Sequence, residues 1–404
     1  MGRSSRTTRS PVDVDELIQV GVDAGLSAVG VCSARSWTHT RGLLEERKAD
    51  GLAGSMAFTY RKPARSSDPS RLLGGARSLV VGAMSYAQIV PPRPDRPSAR
   101  VARYATSDHY DRLNIALGAM ASHLSGLGHR ALVVSDDNGL VDREAAWRAG
   151  LGFSGKSSNV LLPGQGSWFV LGSVVTDVAL ASTGPPVAEE CGSCRRCLDG
   201  CPTGAIVAPG VVDARRCLAW MLQAPGDFPR QYRETLGDRI YGCDDCQEVC
   251  PPNRRVEVAL RTRVHAGDAG DEPADPGAWV DVAEALALDD DTLLDRFGRW
   301  YLPGRDVAVL RRNLLVVAGN STPPVPATLG RQIARHLRHL SDVVAAHAAW
   351  AAIRLGRSDL LDDPEVARRP AIVAERTALL GDRGTTLANG DLAAANGHRE
   401  DLPS

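Results

Sequence analysis

Eight of the nine cysteines lie between positions 191 and 250, and their spacing carries the clearest chemistry in the chain. The run Cys191-Gly-Ser-Cys194-Arg-Arg-Cys197-Leu-Asp-Gly-Cys201-Pro202 has the C-x2-C-x2-C-x3-C-P pattern in which three thiolates bind one [4Fe–4S] cluster and the fourth serves a second. Three thiolates on one tight loop cap one face of a cubane, and the turn at Pro202 sends Cys201 elsewhere. Cys243, Cys246 and Cys250, the last followed by Pro251, add three ligands, and Cys217 completes the eight. The spacing therefore predicts one cluster on Cys191, Cys194, Cys197 and Cys250, and another on Cys201, Cys217, Cys243 and Cys246. Paired C-x2-C motifs also build four-cysteine zinc sites. Four disulfides are a third use, suited to an exported protein. The N-terminal arginines are followed by no apolar core, so no secretory signal is read and a cytoplasmic protein is expected. Cys32, alone on an apolar segment, reads as a core residue.

Two adjacent clusters make an electron wire, and a wire needs a terminus. About 180 residues precede the cysteine block and about 150 follow it, more than a simple carrier requires, so an enzyme is expected. The chain has 404 residues, 43% of them apolar and 24% charged, enough for a buried core. A net charge of −1 excludes a globally basic nucleic-acid coat while leaving room for a local basic patch. No apolar stretch of 18 or more residues marks a membrane span. Only Lys48, Lys62 and Lys156 are lysines in an otherwise arginine-based chain.

Patterning gives an α+β/α/β multidomain protein. Strands such as SLVVGAMSY and ALVVS alternate with helices over 12–182, which predicts an α/β domain. Asp13 is placed as a helix cap, with Leu17, Val20 and Val22 on one face. Residues 159–177 read as a hairpin about Pro163–Gly166. A bacterial-ferredoxin-like double-cluster module is expected over 183–257 and an acidic, Gly/Pro-rich linker over 258–279. All-α, HEAT-like helices are expected over 280–380, with disordered tails at 1–11 and 381–404.

The block PTGAIV…DARRCLAW…GDRIYGCDDCQEVCPPNR, with the upstream DDNGLVDREAAWRAGLGFSGKSSNVLLPGQGSWFVLG, resembles the epoxyqueuosine reductase family over roughly residues 12–320. RYA at 103–105 and RRNLLVVAGN at 311–320 extend the likeness. The resemblance implies a cobalamin-dependent enzyme with two [4Fe–4S] clusters that reduces an epoxide on the modified base of tRNA to an alkene. It implies a tRNA anticodon stem-loop and a low-potential electron donor as partners, and no membrane. Asp136 matches the family's proton donor; its other reading is a turn cap after ALVVS, and Asp137 beside it is the alternative acid. Asp142 and Arg143 brace that loop or form a plain ion pair. The resemblance places Lys156, Ser157 and Ser158 against the corrin amides, with Arg65 and the backbone at Val160 as further cobalamin contacts. Asp244 and Asp245, between ligands of the inner cluster, face the corrin or simply favour a helix start.

The chain departs from the family at two places. His109-Tyr110-Asp111 reverses a D-Y-H order, and Ala219–Gly226 replaces a tRNA-contacting run, keeping Gln223 and Gly226 as substrate candidates while Pro225 stands for a lysine. No D-x-H-x-x-G signature supplies a lower histidine ligand to cobalt. Farther on, Arg305, Arg311, Arg312, Arg331, Arg335 and Arg338 face a single acidic residue, Asp306. Arg331, Arg335 and Arg338 share a helix face by spacing, which predicts a phosphate-binding stripe or a solvated surface. The alternatives to a tRNA-acting enzyme are a corrinoid iron–sulfur reductase for a small substrate and a two-cluster electron carrier.

Overall fold

The computed structural model describes residues 9–266 and 276–379. The chain divides into two compact units, one built from the described parts of Met1–Pro92, Val101–Ala224 and Tyr241–Ala278, the other from Arg93–Arg100, Pro225–Ile240 and Trp279–Ser404.

The first unit centres on a four-stranded sheet of β1 (Ala28–Ser33), β2 (Ser78–Ser85), β3 (Ala131–Ser135) and β4 (Phe169–Thr176) in the order β1-β2-β4-β3. Every pairing is antiparallel. The unit is therefore α+β rather than wound α/β, because alternation of strands and helices along the chain does not fix strand direction. Successive side chains of β2 point to opposite faces. Leu79, Val81 and Ala83 join Cys32, Trp37, Ala145 and Ala149 on one side, while Val80 and Met84 join Leu17, Leu113, Leu117 and Met120 on the other. Burial on both faces explains the continuous apolar run of this strand. Helices α1 (Val14–Asp23) and α2 (His109–Gly126) cover the second face, and α3 (Asp142–Arg148) covers the first. Gly82 and Gly172 pair across β2 and β4, and a Cβ on Gly172 would stand 2.7 Å from Leu117 Cδ1. Two glycines thus let α2 settle onto the sheet.

Asp13 caps α1 through bonds from the amides of Asp15 and Glu16. Leu17 and Gly21 hold its buried side, whereas Val22 is exposed, so the apolar face is narrower than its sequence suggests. Residues 9–11 are not a loose tail: Arg9 pairs with Asp177 at 2.9 Å and the Ser10 amide bonds the Leu127 carbonyl. Within 159–177 a tight turn closes Leu162 on Gly166, but the flanking strands do not form one hairpin. Val160–Leu161 pairs with Phe153–Ser154, and β4 pairs with β2 and β3. A sixteen-residue helix, Pro251–Ala266, occupies the start of the segment read as linker; most of the acidic stretch 266–278 lies outside the described residues, as does 381–404.

The second unit is helical apart from short strands. Every residue from Val309 to Gly319 in the helix Ala308–Gly319 is buried, and Asp342–Arg354 packs along it. Glu375 is buried and pairs with Arg233 at 2.7 Å. Among the described residues no helix is long and apolar enough to cross a membrane.

Candidate functional site

All nine cysteines are free thiols. Cys32 is buried among aliphatic side chains and burial pushes its thiol up to about 12, which makes it an inert core residue. The other eight are partly exposed. Negative charge on Cys197 and Cys194 is felt at Cys250, although Cys250 is far along the chain. Cys217, Cys201 and Cys197 are felt at Cys246 in the same way. Cys250 thus lies within electrostatic reach of the 191–197 loop, and Cys246 within reach of Cys201, Cys217 and Cys197.

The second cysteine loop is anchored by buried polar contacts. The Gln247 side-chain amide donates to the Ser167 carbonyl and hydroxyl and to Tyr86 Oη. Asn253 is 1% exposed and joins the same knot: its Oδ1 accepts the Ser167 amide at 2.7 Å and its Nδ2 donates to Ser167 Oγ and the Gln247 carbonyl. Asp244 is buried and accepts the Arg103 amide at 2.8 Å, while the Arg103 guanidinium lies 4.5 Å above the Trp168 ring. Asp244 therefore secures this loop, and Asp245 stands half-buried at the start of the short helix Asp245–Glu248.

Donors reach the sulfurs. The Ala205 amide lies 3.2 Å from Cys201 Sγ, and Asn159 Nδ2 lies 4.0 Å from Cys246 Sγ. Lys156 is turned to the cysteine block: its ammonium donates to the carbonyls of Gly192 and Cys194. Free thiols with N–H donors directed at them are of the kind that holds iron–sulfur clusters.

The acidic loop begins where β3 ends. Asp136 sits at φ 48°, a left-handed backbone that a non-glycine residue holds only when its surroundings impose it. Asp137 Oδ1 accepts the Gly139 amide at 2.6 Å, so Asp137 makes the Asx turn. Asp136 is spared that task. Its side chain is exposed to water, yet burial by surrounding protein raises its carboxyl to about 6, with Asp137 adding to the effect.

The neighbours are polar. Asp142 is held well above the ordinary carboxylate range by burial and by the Asp136 charge, and its Oδ1 is buried without a partner. Both carboxylates act on the buried Tyr110 phenol, raising it after burial has done so. Arg143 donates to the Ser158 carbonyl at 3.0 Å. Ser158 has φ 65° and a buried hydroxyl without a partner. Ser66 Oγ bonds the Asn138 carbonyl at 2.7 Å, which fixes the neighbouring Arg65 beside this loop. Ser157 Oγ accepts from Asn159, and the Val160 side chain is buried in the core. Asp136 and Asp142 thus both reach Tyr110, Arg65 borders the same loop at Gly139, and Arg143 links the helix bearing Asp142 to Ser158. Asn159 is missed by sequence reasoning, since an asparagine after a turn carries no ligand signature.

The proposed substrate residues are scattered. Gln223 Nε2 lies 3.5 Å from Tyr104 Oη. The Gly226 carbonyl accepts Arg312 Nη1 at 2.6 Å. Arg331 is exposed, Arg335 donates to the Ala287 carbonyl, and Arg338 pairs with Asp363 at 2.6 Å. The longer arginine stripe is corrected: Arg311 and Arg312 are 3% and 1% exposed and point inward. Arg311 binds Asp290 and the Leu288 carbonyl, and Arg312 binds Asn313.

Residues 190–253 match the family model of the 4Fe-4S double cluster binding domain, which decides for iron–sulfur clusters over zinc or disulfides. Over 349 residues the chain is 31% identical to the epoxyqueuosine reductase of Vibrio cholerae, covering 83% of this chain and 90% of that protein. The chain belongs to the epoxyqueuosine reductase family. It is an oxidoreductase that reduces epoxyqueuosine. Two solved family members share its architecture. An epoxyqueuosine reductase with an epoxyqueuosine-modified tRNA-Tyr stem loop is 26% identical with a TM-score of 0.78, covering 89% of this chain and 97% of that one. The Bacillus subtilis epoxyqueuosine reductase, with its aspartate catalytic loop swung out of the active site, is 26% identical with a TM-score of 0.76 over the same shares.

Proposed function

We propose that this family member acts on tRNA with a cobalamin bound beside Asp136, and that Asp136 protonates the departing epoxide oxygen. The observation that carries this reading is the left-handed backbone of Asp136 at the end of β3, released from turn duty by Asp137, with its carboxyl raised to about 6 by surrounding protein. Solved relatives support it: one holds a modified tRNA stem loop, and another has a catalytic loop named for its aspartate.

Opening the epoxide to the alkene consumes two electrons and two protons and releases water. Cobalamin, when bound, supplies strongly reducing electrons from its cobalt. The chain does the rest. Ser158 Oγ and Asp142 Oδ1, both buried without partners, and the Arg65 guanidinium would hold the polar edge of the cofactor. Asp136 supplies the first proton and solvent the second; near neutrality a useful fraction of Asp136 is still protonated, as a general acid requires. Cys191, Cys194, Cys197 and Cys250 hold one cluster, and Cys201, Cys217, Cys243 and Cys246 the other, fed by a low-potential donor. In the C-terminal unit, helices of the HEAT-like kind offer Arg331 and its neighbours to tRNA phosphates, and Gln223 and Gly226 are further substrate contacts.

Cobalamin binding is checked directly by titrating cob(II)alamin into the anaerobically reconstituted protein. One saturable site per chain is expected, weakened by Arg65→Ala and by Ser158→Val. Absence of any saturable absorbance change would rule out cobalamin as the cofactor.

A further inference from the structure

The segment Gly155–Asn159 is one closed turn that touches the 191–194 loop at one end and Cys246 at the other. Its ends are tied by the Gly155 amide donating to the Asn159 carbonyl at 2.8 Å. It is held from outside by Arg143 on the Ser158 carbonyl. At its start, a Cβ on Gly155 would collide with Leu161 Cδ1 and stand 3.8 Å from Cys191 Sγ, so the backbone runs close beside that thiol. The Lys156 ammonium then engages the Gly192 and Cys194 carbonyls, which belong to the loop of the first cluster. At its other end the Asn159 amide is steadied by Ser157 Oγ at 3.4 Å and directed at Cys246 Sγ, a ligand of the second.

We propose that Lys156 and Asn159 are positioning residues that set the reduction potentials of the two clusters separately, Lys156 acting on the cluster of Cys191, Cys194, Cys197 and Cys250, and Asn159 on that of Cys201, Cys217, Cys243 and Cys246. The inference rests on the cluster assignment above. A four-thiolate cluster is an anion that becomes more negative on reduction. A neighbouring cation, or an N–H donor to a ligand sulfur, favours the reduced form and raises the potential. Lys156 supplies the cation. It also draws the negative ends of two loop carbonyls onto its ammonium. Lysine suits this place because a compact ammonium meets two diverging carbonyls, which a planar guanidinium does not match. Asn159 supplies the neutral N–H···S donor. One turn thereby biases both steps of the wire, and through Arg143 it is fixed to the element bearing Asp142.

The test is an EPR-monitored redox titration of the anaerobically reconstituted holoprotein, without cobalamin or tRNA. Lys156→Gln is expected to lower one midpoint, making the reduced-to-oxidised ratio at the wild-type midpoint fall about tenfold, or about 59 mV for a one-electron couple. Asn159→Ala is expected to lower the other midpoint and leave the first in place. Lys156→Met, neutral and of similar length, gives the same reading should the glutamine variant lose iron. Lys156→Arg restores charge and is expected to recover part of the shift. Two unchanged midpoints at full iron content overturn the proposal, as does an equal shift of both by either variant. A wild-type protein lacking about eight irons would instead overturn the cluster assignment.

Discussion

At the scale of single residues, Asp136 and Asp137 divide two tasks that their adjacency makes indistinguishable in sequence. Asp137 binds the Gly139 amide and holds the turn, while Asp136 is the proposed proton donor. Asp136→Asn is therefore expected to keep both clusters and lower turnover about 10²-fold or more, the scale for loss of a general acid. In the wild type, turnover limited by this proton should fall as pH rises through about 6. Stability has a matching sign. The folded-state carboxyl titrates near 6 against an ordinary value of 3.8, so between these values the folded protein holds a proton that the unfolded chain has released. The wild type thus loses stability as pH rises through that window and the Asn variant does not. Thermal unfolding of the cobalamin-free protein should show the variant's relative Tm increasing from pH 4 to pH 7. A fall in relative Tm over that range would contradict the assigned environment. The cysteines, by contrast, are legible from sequence, because cluster geometry constrains sequence separation directly, whereas the conformation and accessibility of one aspartate depend on its neighbours in space.

Among elements, the second cysteine loop shows how packing positions chemistry. Gln247 and Asn253 tie it to Ser167 and Tyr86 with bonds inaccessible to water. Asn253→Ala strands the buried Ser167 amide, a loss of about 1–3 kcal/mol. Denaturant unfolding should record that loss, with lower iron retention at Cys246 and Cys250. On the sheet, Gly172→Ala forces a Cβ toward Leu117 and Ser135 and should cost about 1–3 kcal/mol as overpacking, measured in the same way. Strands β2 and β3 and the cap of α1 follow from apolar runs and from Asp13. The antiparallel order does not, since an apolar strand buried on both faces looks the same whichever way its neighbours run. The turn at Pro163–Gly166 is equally visible in sequence, yet β4 leaves it to pair with β2, whose register puts Gly82 opposite Gly172.

For the whole molecule, charge has to be sorted by burial before it can be read as a surface. Arg311 and Arg312 are core residues, so Arg312→Ala should impair folding rather than tRNA binding. Arg331 is the exposed arginine for which an RNA contact is expected. Arg331→Glu should weaken tRNA binding and flatten the salt dependence by about one unit for each phosphate no longer bound, measured across a salt series. Arg338→Glu also removes the Asp363 pair and should lower Tm slightly as well. The clusters, a cobalamin and Asp136 are proposed to act together in deoxygenating epoxyqueuosine in tRNA. The decisive measurement is multiple-turnover reduction of epoxyqueuosine-containing tRNA by the reconstituted protein with cobalamin and a strong reductant, followed by nucleoside mass spectrometry. Stoichiometric queuosine is expected, lost when cobalamin is omitted and formed about 10²-fold or more slowly by Asp136→Asn. Full turnover without cobalamin, or at the wild-type rate in Asp136→Asn, would contradict this mechanism.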